Sequence, residues 1–192
     1  MIFAIVVVIV VVVYLVGWLK YWYGFNKPAV RKHKNNNEKF EQNFLEQNNI
    51  IVTKEYYYIN LLKGVRVRFI VDQGNKKLAI LSTKGIREII NFSDLIGNEI
   101  IIDNQVVGGI SRAVVGGILA GETGAIVGAM TAKNYIMSYK IEIYKRDLSN
   151  PKTEVQLIFE KTSRKNRDYL SAVEFSDNVN ATVRAIINTD FS

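Results

Sequence analysis

Cysteine is absent from the 192 residues, so neither disulfides nor thiolate chemistry can contribute. Histidine occurs once, as His33 in a charged stretch. A lone histidine without clustered carboxylates is neither a metal nor a catalytic signal. A serine–histidine–acid triad would have to use this single residue, outside the expected folded body. Proline occurs twice: Pro28 in a polar stretch, Pro151 in the turn signal LSNP. The glycines lack what phosphate chemistry requires. No lysine follows any of them at phosphate-loop spacing, and no Gly-x-Gly-x-x-Gly opens a helix after a strand. These absences point away from an enzyme, and no cofactor or metal is expected.

Acidic residues are missing from the first 34 positions, where Lys20, Lys27, Arg31, Lys32 and Lys34 stand without counter-charge. The net charge is +7, yet the rest of the chain carries 20 basic against 18 acidic residues. The basicity is therefore concentrated in one place. That favours contact with anionic lipid head groups over nucleic acid, and no nucleic-acid partner is expected.

Just before these charges lies IFAIVVVIVVVVYLVGWL, residues 2–19, an unbroken apolar run. As a helix it would be about 27 Å long, close to a hydrocarbon core. Its Val and Ile favour strand in water, but in lipid the backbone must satisfy its own hydrogen bonds, and a helix results. Trp18, Tyr21, Trp22 and Tyr23 follow as an interfacial belt. A cleaved leader would need a positive start and a small-x-small site, and the run has neither. The expectation is an uncleaved single-pass anchor over residues 1–23. The positive-inside rule places the N-terminus outside the cell membrane and the C-terminal body in the cytoplasm.

Residues 24–49 read as an Asn-rich linker with a short amphipathic helix around Phe40, Phe44 and Leu45. From residue 50 the pattern becomes short β-branched and aromatic runs broken by turn signals. Strands are expected at 50–59, 65–72, 76–82, 86–92, 98–105, 135–146 and 153–160. Residues 168–188 return to helical period, with Leu170, Val173, Val179, Val183 and Ile186 as the stripe. Many short strands followed by one helix predict an α+β body over 50–190: a small antiparallel sandwich or barrel whose helix covers one open end or face.

The strand series is interrupted by SRAVVGGILAGETGAIVGAMTAK, residues 111–133. Small residues recur four apart in two rows: Ala113, Gly117, Gly121, Ala125 and Ala129, and beside them Gly116, Ala120, Gly124, Gly128 and Ala132. A second membrane span would bury Glu122 at a cost of roughly 2–3 kcal/mol. It would also put strands of one sheet on opposite sides of a membrane. The preferred reading is a helical hairpin inserted at 108–133, turning at Gly121–Gly124. Its arms of about 8 residues reach only about 12 Å. Facing small residues let its backbones approach, with Ala113, Gly116, Gly117, Gly121, Gly124 and Gly128 as the packing positions. The other readings are a helix that self-associates or enters lipid conditionally, and a stable span.

Taken together, KKLAILS, INFSDLIGNEIIID, the ladder and YIMSYKIEIY resemble a family of small proteins from low-GC Gram-positive bacteria and their phages. In that family a PH-like sheet is interrupted by GRAVVGGxxxGxxGAIVGAxT. The resemblance covers about residues 50–190. It implies a PH-like fold with a glycine-zipper insertion and brings no catalytic residue.

Two basic stretches are the remaining candidates. Lys63, Arg66 and Arg68 in KGVRVR resemble the basic pattern at the first hairpin of phosphoinositide-binding PH domains. Alternation puts Arg66 and Arg68 on one face of a strand. Lys161, Arg164, Lys165 and Arg167 form a second basic loop. Both also suit a solvated face. With Lys20, Lys27, Arg31 and Lys32, the first group makes a candidate contact for anionic lipid. The function expected is a membrane-tethered, non-catalytic interaction module at the cytoplasmic face, with anionic lipid or a protein as partner. The alternative is a superinfection-exclusion or other membrane-active defence protein that self-associates through the zipper.

Overall fold

The structure is a computed structural model that describes residues 13–15, 18, 38–60, 63–111 and 134–189. The anchor expected over 1–23 lies outside these, except residues 13–15 and 18, which are helical and exposed. Among the described residues no helix is long and apolar enough to cross a membrane. Lys20, Lys27, Arg31, Lys32 and the zipper positions Ala113, Gly116, Gly117, Gly121, Gly124 and Gly128 also lie outside them.

The chain divides into two compact units, residues 1–48 and 49–192. In the first, residues 38–47 form helix α1. Its last turn closes on Asn48, whose side chain donates to the Phe44 carbonyl at 2.7 Å. Asn49 then takes φ +52°, the left-handed stop that asparagine tolerates. Of the expected apolar stripe, Leu45 is buried and Phe40 is exposed.

The second unit contains two four-stranded antiparallel sheets. Strands β1 (Lys54–Asn60), β2 (Val65–Asp72), β3 (Lys77–Ser82) and β4 (Arg87–Asn91) form a meander in sequence order. A 3-10 turn at Phe92–Asp94 leads into β5 (Leu95–Ile102). The second sheet runs β6–β5–β8–β9, with β6 at Gln105–Ser111, β8 at Tyr139–Lys145 and β9 at Lys152–Ile158. Two short strands, β7 (Tyr135–Ile136) and β10 (Thr162–Ser163), pair beside it, and helix α2 (Arg167–Thr189) follows.

Alternation builds the core. Tyr58, Val67, Phe69 and Ile80 face inward from the first sheet, and Ile100, Ile141, Ile143 and Val155 from the second. Ala172, Phe175, Val179, Val183 and Ile187 of α2 complete it. Asn166 caps the start of α2, its side-chain oxygen accepting from the Asp168 N–H at 2.8 Å. The Tyr58 hydroxyl crosses between the sheets and donates to the Leu157 carbonyl at 2.9 Å.

Three sequence expectations change. The strand expected to end at 105 is two strands. Asp103 and Asn104, at φ +50° and +64°, make the two-residue left-handed turn that suits a tight hairpin. The insert expected from 108 begins later, because Gly108 to Ser111 are the last residues of β6. Finally, the strand expected over 135–146 breaks after Ile136. The Asp103 carboxylate there accepts from the N–H groups of Met137 and Ser138 at 2.6 and 3.0 Å.

The sandwich has two distinct ends. At one, the β1–β2 and β3–β4 loops, the 103–104 turn, residues 134–138 and the 159–165 segment gather. The bonds that join them include Thr83 N–H to the Arg66 carbonyl and Arg164 N–H to the Asn134 carbonyl, both 3.0 Å. At the other end, Phe92 N–H donates to the Lys76 carbonyl and Arg146 N–H to the Asp94 carbonyl, both 2.8 Å.

Candidate functional site

The first end concentrates the basic loops. Gly64 takes φ +60°, and Thr83 locks the tip. The Thr83 hydroxyl donates to the Gly64 carbonyl and accepts from the Arg66 N–H, each at 3.0 Å. The neighbouring Lys63 ammonium lies 2.7 Å from the Glu160 carboxylate. That pair joins the two basic stretches that the sequence shows 100 residues apart. On the far side of it, Lys161 sits 4.8 Å over the Tyr135 ring. Arg164 donates to the Tyr169 hydroxyl at 2.9 Å and lies against its ring. Three large apolar side chains lie exposed in this end: Tyr135 at 51%, Met137 at 59% and Phe159 at 41%. Aromatic and aliphatic groups rimmed by lysines match the chemistry of a membrane interface. No local pattern marks these three as exposed together, because each falls within an apolar run.

Arg68 stands apart from this group. Its guanidinium pairs with Glu55, both side chains are about 15% exposed, and it lies over the Tyr57 ring. The Tyr57 hydroxyl donates to the same carboxylate. Partial burial and this bond to Glu55 raise the Tyr57 pKa. Arg68 therefore serves the outer face of the first sheet, with its charge balanced locally. Arg66 shares that face, opposite Ile59.

The outer face of the second sheet carries a polar lattice. Glu99, Glu142 and Glu154 face each other in register on β5, β8 and β9. Three carboxylates in a row would repel. Lys140 bridges Glu142 and Glu154 at 3.1 and 2.8 Å, and Lys152 pairs with Glu142 at 3.0 Å. The Tyr144 hydroxyl lies 2.8 Å from Glu142 and 2.9 Å from Glu99. Burial works to raise the Glu142 pKa, but the bonds from Lys152, Tyr144 and Lys140 outweigh it and hold the carboxyl at about 2. Burial and the two carboxylates push the Tyr144 phenol well above its ordinary value. The groups satisfy one another, which suits structure better than proton transfer.

An open groove of about 490 Å³ runs between β1 and α2, lined by Glu55, Tyr56, Tyr57, Arg167, Asp168 and Glu174 among others. Among the described residues no cluster of His, Asp or Glu could hold a metal ion.

Two antiparallel sheets closed by a C-terminal helix, with loop-borne basic residues at one end, are the architecture expected of a PH-like domain. A family model described as a glycine zipper containing PH domain matches residues 42–159, more than half of the chain. The chain belongs to this family. No curated protein and no solved structure matches it significantly. The matched part of this PH domain runs from within α1 to the residue after β9 and includes the glycine ladder. The segment carrying Lys161, Arg164 and Lys165, and α2 itself, follow the matched part.

Proposed function

We propose that this PH domain is a membrane-tethered, non-catalytic interaction module whose basic end binds the anionic surface of a bilayer at the cytoplasmic face. The observation that carries the reading is the junction of two basic loops through Lys63 and Glu160, beside exposed Tyr135, Met137 and Phe159. Lysines supply attraction to anionic head groups, about 1 kcal/mol for each cation near the surface. The apolar side chains supply insertion, which scales with the area buried. PH domains commonly bind proteins or lipids, and this end offers lipid chemistry. The apolar run at 2–19 and the five cations after it, read from the sequence, would hold the domain near the same leaflet.

The test is flotation of residues 49–192, a compact unit of their own, with vesicles of phosphatidylglycerol and phosphatidylcholine. Binding to the anionic vesicles alone, weakened by salt and by Lys63→Glu with Lys161→Glu, supports the reading. Equal recovery with both vesicle types would refute it. Absence of binding to either would direct the search to a protein partner.

A further inference from the structure

Strand β1 ends the first sheet, and β2 is its only ladder partner among the described residues. Its other edge runs along the open groove of about 490 Å³ that separates it from α2. Proteins usually blunt such an edge with proline, a bulge or charge. β1 reads KEYYYIN and pairs with β2 without a register shift. Its lysine stands at the first position, and the Glu55 charge is taken up by Arg68. About 23 Å of edge therefore turns unpaired main-chain donors and acceptors toward the groove. Two contacts fix the spacing of the walls. The Tyr58 and Phe175 rings lie 6.1 Å apart, and the Tyr56 and Thr182 hydroxyls meet at 3.0 Å.

Helix α2 supplies the opposite wall. Arg167, Ser171, Glu174 and Asn178 recur three or four apart and form one stripe, with Asp168 beside it. Among the described residues neither Asp168 nor Glu174 forms an ion pair. Of the described residues lining the groove, only Arg167 is basic.

We propose that this groove binds an extended segment of a partner protein, alternating apolar with basic residues, that adds to β1 as a fifth strand. Successive side chains of such a segment point to opposite sides. On the outer face of the sheet they would meet the exposed Tyr57 and Ile59, whose favoured cross-strand neighbours are β-branched or aromatic. On the other side they would face Asp168 and Glu174, which call for lysine or arginine. Main-chain bonds to β1 supply affinity, and the two rows of side chains supply the choice of partner. A second copy of the chain fits poorly, because β1 against β1 would bring two walls with the same carboxylates together. An anionic bilayer would be repelled by those carboxylates, so the site is independent of lipid binding at the basic end.

The test uses the full chain in neutral nanodiscs, which offer basic peptides no anionic lipid. A phage-displayed library of random nine-residue peptides is the probe, with empty discs as the background. Enriched sequences are expected to alternate Lys or Arg with Val, Ile or an aromatic residue. A synthetic peptide of that sequence should lose at least about tenfold in affinity on Glu174→Lys, and also on Asp168→Asn. Methylation of its alternate backbone nitrogens should abolish binding, whereas Glu46→Lys, the same charge change on α1, should leave it intact. Circular dichroism checks that each variant folds, and Asp168→Asn carries the test if Glu174→Lys does not. No enrichment over empty discs, or enrichment of acidic sequences, would overturn the proposal. So would affinity that ignores the α2 variants or the backbone methylation, or a dimer of the chain joined through β1.

Discussion

Lys63 and Glu160 form a 2.7 Å ion pair that brings the β1–β2 loop to the segment after β9. The side chains are 40% and 54% exposed. Solvent and salt screen such a pair, so Glu160→Gln should change stability by less than about 0.5 kcal/mol in urea denaturation. The same substitution removes an acid from the basic end. Affinity for anionic vesicles should rise, with a steeper dependence on salt.

Two glycines are expected to respond differently to alanine. A Cβ on Gly64 would meet nothing within 4 Å, so only its φ of +60° resists, at about 1–2 kcal/mol. On Gly109, at φ +141°, a Cβ would lie 2.1 Å from the Asn98 carbonyl oxygen and 2.8 Å from the Glu99 Cα. Both obstacles are backbone. Gly109→Ala should therefore cost at least about 3 kcal/mol and loosen β6 from β5. Thermal melts of the two variants would separate these costs.

Glu142 makes stability depend on acid. Its folded pKa of about 2 lies below the ordinary 4.5. The stabilisation is therefore complete above the unfolded value and is lost as pH falls through about 2. The shift corresponds to about 3 kcal/mol. Glu142→Gln should flatten the stability profile between roughly pH 5 and pH 2. An unchanged acid limb in denaturation midpoints would remove Glu142 from the explanation.

Lys145 is buried at the end of β8 and pairs with Glu88 of β4, joining the two sheets. Without Glu88 the buried Lys145 ammonium is left with the more distant Asp147 carboxylate, at 3.9 Å. Glu88→Ala is thus expected to destabilise by about 2 kcal/mol, less than the loss of a sole partner would cost, and Glu88→Leu with Lys145→Met to recover most of that loss.

Asn98 faces the core in a row with Ile110 and Ile143, and both ends of its carboxamide lack a hydrogen-bond partner among the described residues. A leucine of similar shape removes the unmet groups. Asn98→Leu is expected to raise stability by about 1–2 kcal/mol, measured as the urea midpoint.

Much of this architecture is legible in the sequence because alternation and turn residues are local. The strands containing Val67 and Phe69, Leu78 and Ile80, and Ile141 and Ile143 fall within the expected spans, and α2 exceeds its expected span by one residue at each end. The β5–β6 turn was missed because Asp103-Asn104 sits inside a long apolar run and contains no glycine. Tyr135 and Met137 are held by the distant partners Ser163 and Asp103, which no local pattern reveals. The same holds for Arg68. Its candidacy rested on spacing, whereas its environment depends on Glu55 of the neighbouring strand.

The most direct measurement of the central claim is hydrogen exchange of the full chain in nanodiscs, anionic against neutral. Slower exchange confined to residues 63–66, 134–138 and 159–165 in anionic discs, reversed by high salt, is the expected result. Equal exchange at these segments in both discs, or protection located elsewhere on the domain, would contradict it.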